Sequence, residues 1–337
     1  MKTNEESEFH LLKNIIRDAI VPYPAGYSFC LFCSIDRILY LIYTSREYSI
    51  ISYDLINDKR INQIKKAHNN YISNFRHYLD GINKRDLLIS VSTLINNIKV
   101  WNIKNYECLC NLENIYDKSV ILSACFLNEN NKIFIVTCTE PQYIFEEIKV
   151  FELKGNIYKK IYNYDDLTHY IDSYYDNNLS KNFIITGNAS YPRSYDYSNN
   201  KLYHKYSDDN NKGQYYMSFY DKDDILKLIE SSSDAYIRIW DFHSGKLLSK
   251  IKISDNFYCT IYSFCVSNNN YLFAGMSGGK VIEIDLKTKK LVSFSSNDKN
   301  DYLAIQTVEH PKYGECLISQ DCNRGQIKLW KKNIKNL

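Results

Sequence analysis

Residues 225–253 read Ile-Leu-Lys-Leu-Ile-Glu-Ser-Ser-Ser-Asp-Ala-Tyr-Ile-Arg-Ile-Trp-Asp-Phe-His-Ser-Gly-Lys-Leu-Leu-Ser-Lys-Ile-Lys-Ile. Apolar residues alternate through Leu226 and Leu228, and again through Tyr236, Ile237 and Ile239, with a polar turn at residues 231–234 between them. Trp240-Asp241 closes the second run, His243-Ser244-Gly245 turns the chain, and a third run opens at Leu247. Period-two alternation interrupted by turn residues predicts three short strands joined by tight turns.

The same ending recurs outward from this stretch. An aromatic or apolar residue, usually followed by Asp, Asn or Glu, marks the end of a third strand at Tyr53-Asp54, Trp101-Asn102, Phe151-Glu152, Tyr195-Asp196, Trp240-Asp241, Ile284-Asp285 and Trp330-Lys331. Successive marks lie 44–50 residues apart. Ahead of the second mark the pattern predicts an inner strand at 71–77, then strands at 87–92, 98–101 and 108–112. Asparagine pairs such as Asn96-Asn97, Asn130-Asn131 and Asn199-Asn200 punctuate the turns, because asparagine tolerates left-handed backbone.

With Trp240-Asp241 at its end and Asp234 six residues ahead of the Trp, the stretch resembles one repeat of the tryptophan–aspartate (WD-repeat) β-propeller family. The resemblance implies an all-β chain: a single seven-bladed β-propeller of four-stranded antiparallel blades. Blade limits are expected at 21–66, 67–115, 116–163, 164–208, 209–254, 255–298 and 299–337. The last repeat shows only three strands, and an open sheet edge invites aggregation, so a fourth must come from elsewhere. Residues 8–20 are expected to supply it as the outer strand closing blade 7. The rival is an amphipathic helix, since Phe9, Leu12, Ile16 and Ile20 fall on one helical stripe.

Composition excludes more than it identifies. The 337 residues carry a net charge of +3, and their basic residues are dispersed as pairs, so nothing electrostatic asks for a nucleic-acid partner. The ten cysteines sit mostly in apolar runs and read as free thiols of a reducing compartment. Cys30 and Cys33 have a metal-like spacing, but an offset of three residues on a strand points them to opposite faces. No transmembrane run, secretory leader, phosphate loop or nucleophile elbow is present, so the expectation is a cytoplasmic or nuclear protein with no cofactor, no metal and no membrane partner.

In the WD-repeat family a loop histidine, a strand hydroxyl, a turn Asp and the Trp form a buried relay. Here the resemblance assigns structural roles to His68, Trp101, Asp234, Trp240, Asp241 and Trp330, with Ile95 standing where blade 2 would hold its Asp. It also places the residue ahead of each inner strand on the channel rim, where Tyr71, Tyr170, Tyr215 and Tyr302 read as a repeated tyrosine. The turns between second and third strands reach the same face with Arg46, Glu47, Arg193, Tyr236 and Arg324. Tyr and Arg are the residue types that anchor interface hot spots. The expected function is a non-enzymatic protein–protein interaction scaffold, a monomeric propeller within a hetero-complex, binding a peptide or partner domain around the channel. The alternatives are an RNA-associated propeller, which needs a gathered basic face, and a hydrolase at the channel mouth, which needs converging groups with perturbed pKa values.

Overall fold

Each marked strand lies third in a four-stranded antiparallel sheet, and there are seven such sheets. The computed structural model describes residues 9–16, 29–45, 47–116, 120–140, 146–153, 157–163, 168–188, 191–208, 214–221, 225–254, 260–295, 302–321 and 325–332. Blade 1 runs Phe29–Cys33, Leu39–Thr44, Ile50–Asp54, Lys59–Ile64. Blade 2 runs Asn74–Asp80, Arg85–Ser92, Asn97–Asn102, Glu107–Glu113, and blade 3 Val120–Glu129, Lys132–Glu140, Glu146–Glu152, Ile157–Asn163. Blade 4 is Thr168–Asp176, Lys181–Asn188, Arg193–Asp196, Lys201–Lys205. Blade 5 is Gln214–Tyr220, Lys227–Ser232, Tyr236–Asp241, Leu247–Lys252. Blade 6 is Ile261–Val266, Tyr271–Met276, Lys280–Asp285, Leu291–Ser295, and blade 7 is Tyr302–His310, Gly314–Asp321, Ile327–Lys332 plus Phe9–Ile16. First strands of successive blades touch all the way round, blade 7 against blade 1 included, which makes the arrangement a seven-bladed β-propeller.

The N-terminal segment is the closing strand. Phe9–Ile16 pairs antiparallel with Ile327–Lys332, so blade 7 has no open edge there. Ile16, 5% exposed, joins Phe29, Leu41, Ile318 and Leu329 in the apolar seam between blades 7 and 1. The same seam holds two polar bonds, Leu31 N–H to Gln306 Oε1 at 3.0 Å and His310 Nε2 to the Leu55 carbonyl at 3.3 Å.

The Asp after the mark has a local cause. The Asp54, Asp241 and Asp285 carboxylates each accept two backbone N–H groups of the following turn, and Asp196 and Asn102 each accept one. Burial alone would raise the Asp241 carboxyl, but donors from Ser244 and His243 hold it below its ordinary value. In six blades the pairing with the outer strand also shifts at the marked residue, as at Val100/Trp101 and Ile239/Trp240. Blade 6, where Ile284 holds the mark, pairs without a shift. A bulge adds twist locally and is placed where the bulky ring stands.

Candidate partner-docking site

Strand alternation fixes what lies beside each marked ring. Two residues before the mark stands Lys99, Lys149, Arg193, Arg238 or Lys328, and directly across the pair from these stand Ser90, Thr137, Thr186, Glu230 and Ser319. In blades 1 and 6 both members are uncharged, Tyr43 with Ile51 and Ala274 with Ile282. Lys99 Nζ donates to the Ala67 carbonyl at 2.8 Å and Lys149 Nζ to the Ile115 carbonyl at 2.7 Å, so each clamps the loop that enters its own blade. Arg238, with no exposed side chain, reaches Asp208 of its entering loop at 3.0 Å and Asp234 of the adjoining turn. The signal for these cations was present in the sequence as Lys or Arg, any residue, aromatic. It was not read.

The polar relay survives in pieces. Trp101 Nε1 donates to Ser90 Oγ at 2.8 Å, and Ser90 Oγ lies 2.7 Å from His68 Nε2. Trp330 repeats the first link to Ser319 at 2.8 Å. In blade 3 the Tyr116 hydroxyl meets Thr137 Oγ1 at 2.7 Å, a tyrosine doing what His68 does in blade 2. In blade 5 Glu230 takes the hydroxyl's place beneath Trp240, fully buried and 3.7 Å from Arg238 Nε. Burial drives the Glu230 carboxyl well above its ordinary range despite that cation. Asp234 instead binds Ser232, the Tyr236 N–H and Arg238.

The expected tyrosine rim is not a repeated position. The inner pairs of blades 3 to 7 are bulged at their entry, and the residues just past the bulge are Ser123, Tyr170, Tyr216, Ser263 and Ala304. The unbulged equivalent in blade 2 is Asn74. Against that register Tyr71 lies three residues early, Tyr302 two, Tyr215 one, and Tyr170 on it. Tyr71, in a loop, and Tyr170, in a strand, therefore do not occupy one repeated position. Tyr170 is 4% exposed, and its hydroxyl lies 2.8 Å from both the Met217 carbonyl oxygen and an Asp172 carboxylate oxygen, so it packs between blades. Arg193, 2% exposed, belongs to the buried cations and donates to the Tyr191 hydroxyl at 3.1 Å. The predicted inner strand at 71–77 starts instead at Asn74, which leaves Tyr71 in the entering loop, 38% exposed and edge-on to Tyr48. Glu47 is exposed and Tyr236 half-buried under Arg238 and Lys250. Arg46, Arg324 and the side chains of Tyr215 and Tyr302 lie outside the described residues.

The opposite face carries the turns between first and second and between third and fourth strands, and a cleft of about 800 Å³ opens there between blades 2, 3 and 4. Its inner wall is Arg76, Cys125 and Asp172 of three neighbouring inner strands; its mouth is Asn130, Asn131, Ser180 and Ser198 of the turns. Hydrogen bonds fix the walls to each other. Asn128 Nδ2 donates to the Tyr78 hydroxyl at 2.7 Å, joining blades 3 and 2, and Asn182 Nδ2 donates to the Asn128 carbonyl at 2.8 Å, joining blades 4 and 3. Arg76 lies 5.4 Å from the centre of the Tyr170 ring. Three described residues of perturbed pKa line the cleft: Cys125, His77 and Lys181, the last raised by its hydrogen bond to Asp196. Burial pushes the Cys125 thiol far up, away from thiolate, and burial holds His77 below its ordinary value against the pull of Asp86, 2.7 Å away. No protein-family model matches the chain, and no curated protein matches it.

Proposed function

We propose that the chain is a divergent WD-repeat propeller and acts as a non-catalytic interaction platform, taking an extended peptide segment of a partner protein into the cleft between blades 2, 3 and 4. The family reading is supported by the His68–Ser90–Trp101 relay in blade 2, the Trp330–Ser319 link in blade 7 and the turn-capping Asp241 behind Trp240. The docking reading is carried by one observation: a concave, preformed, channel-side cleft with walls hydrogen-bonded across three blades. Walls held in this way lose little freedom when a ligand orders against them. The cleft lies in the size range of ligand sites. Its tyrosine, asparagine and serine lining has the chemistry of adaptable protein recognition surfaces. Arg76, Lys181, Asp172 and Glu129 all stand in the lining, with Lys181 paired to Asp196 at 2.8 Å, a mixed field that favours a polypeptide over a polyanion such as RNA.

The test is selection of peptides from a displayed random library on the intact propeller, followed by titration of the labelled winners. Tyr175, 48% exposed at the mouth, is changed as Tyr175→Ala. Binding weakens by about tenfold or more with an unchanged thermal melt, as expected for loss of an aromatic anchor. Winners that bind this variant as well as the parent, or that lose affinity instead with Tyr71→Ala plus Tyr236→Ala, would return docking to the other face and sink the proposal.

A further inference from the structure

The first hairpins of blades 2, 3 and 4 end at one height but turn differently. Leu88, Ile135 and Ile184 stand opposite the marked rings, and in each blade the last paired residue of the second strand comes three positions earlier, at Arg85, Lys132 and Lys181. Beyond that pair, blades 2 and 4 each take four residues to turn, 81–84 and 177–180. Blade 3 takes two, Asn130 and Asn131, both left-handed at φ 50° and 64°. That is the two-residue hairpin for which asparagine is suited. Blade 3 therefore stops short of both neighbours on this face, and a trough crosses it from the channel outward.

The sides of the trough are stiff. Asp80 accepts the Asn83 N–H at 3.1 Å and Arg85 Nε at 2.8 Å. Asp176 accepts the Asn178 and Leu179 N–H groups at 2.8 and 2.9 Å and meets His243 Nε2 of blade 5 at 2.9 Å. Held on those turns, Ile82 is 59% exposed and Leu179 48%. Asn131 belongs both to the mouth of the cleft and to a second recess, of about 320 Å³, which lies between blades 2 and 3 and reaches the end of the third strand of blade 3. The floor of that recess is aliphatic: buried Ile133 and half-buried Leu153 both pack in the seam between the two blades. Among the described residues of its lining, charges of both signs occur, Arg85 and Lys132 with Glu152, so the floor suits an uncharged side chain.

We propose that the peptide segment docked in the cleft continues outward over Asn131 and seats one large apolar side chain on Ile133 and Leu153. Cleft docking, on which this rests, thereby gains a direction and a specificity. The segment crosses blade 3 instead of lying along the ring, and the partner carries an apolar residue on its outward side. An occupant lying along the ring would have to climb the four-residue turns of blades 2 and 4, whereas the short turn of blade 3 leaves the outward path open. Ile82 and Leu179 stand on either side of that path.

The probe is a library winner whose binding falls with Tyr175→Ala, labelled with fluorescein and titrated by anisotropy into the full chain. Serine replaces each of its apolar residues in turn, and one replacement weakens binding by about tenfold or more, as loss of an anchor does. A photoreactive benzoylphenylalanine at that position crosslinks to residues 131–133 or to Leu153 of the unaltered protein. Inserting Gly-Ser between Asn130 and Asn131 lengthens the blade 3 turn to four residues and obstructs the path, so binding weakens by about tenfold or more. The same insertion between Asp36 and Arg37 of blade 1 leaves binding unchanged. Exposed turns tolerate such insertions, and matched thermal melts check both variants; if the lengthened turn does not fold, the crosslink on the unaltered chain decides. Winners indifferent to Tyr175→Ala would remove cleft docking itself, and this path with it. The path alone is overturned by winners that need Tyr175 but show a flat serine series, crosslink elsewhere, or bind the lengthened blade 3 turn as well as the parent.

Discussion

Ser90 serves two partners at once. Its hydroxyl accepts the Trp101 indole N–H and lies against His68, so Ser90→Ala strands two buried polar groups in one step. A lost buried bond of this kind costs about 1–3 kcal/mol, and a fall in melting temperature with the fold otherwise intact is the expected result. His68 gives the relay a pH signature. Burial, aided by the charge of Lys99, takes its pKa from 6.5 down to about 3. The folded state therefore prefers the neutral ring, and the associated stability is complete above pH 6.5 and is lost as pH falls toward 3, at about 1.4 kcal/mol per unit. Melting curves from pH 7.5 to 4 should show the gap between the parent and His68→Gln closing on acidification. A gap that widened would mean the imidazolium is the form the fold holds.

Turns carry the next level of information. With few glycines to use, the chain puts other residues into the left-handed region, among them Arg37 at φ 62°, Lys84 at 48°, Tyr106 at 59° and Asn96 at 48°. The asparagines at Asn96, Asn130, Asn131, Asn200 and Asn270 adopt that conformation as their composition implies, whereas the turn after Asp176 places Ser180 there instead of Asn177 or Asn178. A lysine or arginine in this region strains its Cβ against the backbone, and asparagine bears the conformation at lower cost. Arg37→Asn with Lys84→Asn should stabilise the protein by about 1 kcal/mol, read as a higher denaturant midpoint at constant slope. A lower midpoint would show that these side chains contribute contacts worth more than the relieved strain.

A blade is too thin to bury both of its faces alone, so the ring is stable only when every wedge has two neighbours. Blade 7 is finished by residues from the other end of the chain, with Ile16 in the seam and His310 and Gln306 bonded across it. Removing residues 1–16 should expose the outer edge of Ile327–Lys332 and the seam beneath it. Light scattering should report aggregation below the parent's melting temperature, and the same chain with Phe9–Ile16 intact but residues 1–7 removed should stay clear. If both truncations behave alike, closure by this strand contributes nothing.

Much of the fold was legible without coordinates because the determining signals are local. Alternation, turn residues and the spacing of seven marks need only neighbours in sequence, and an Asp following an aromatic residue caps its own turn. Even the closing strand could be anticipated, from a missing fourth run at one end and a matching run at the other. The docking surface was not legible in the same way. Whether Tyr170 faces water depends on a one-residue bulge at the entry of its strand, and a slip of one residue turns a side chain to the opposite face. Arg193 looked like a rim residue because it opens a strand beside a turn, but its place opposite Thr186 makes it one of the buried cations. The two recesses are bounded by residues from different blades, dozens of positions apart in the chain. Local sequence determined the strands, their turns and their number; only the packing of one wedge against the next decided which side chains remain at the surface.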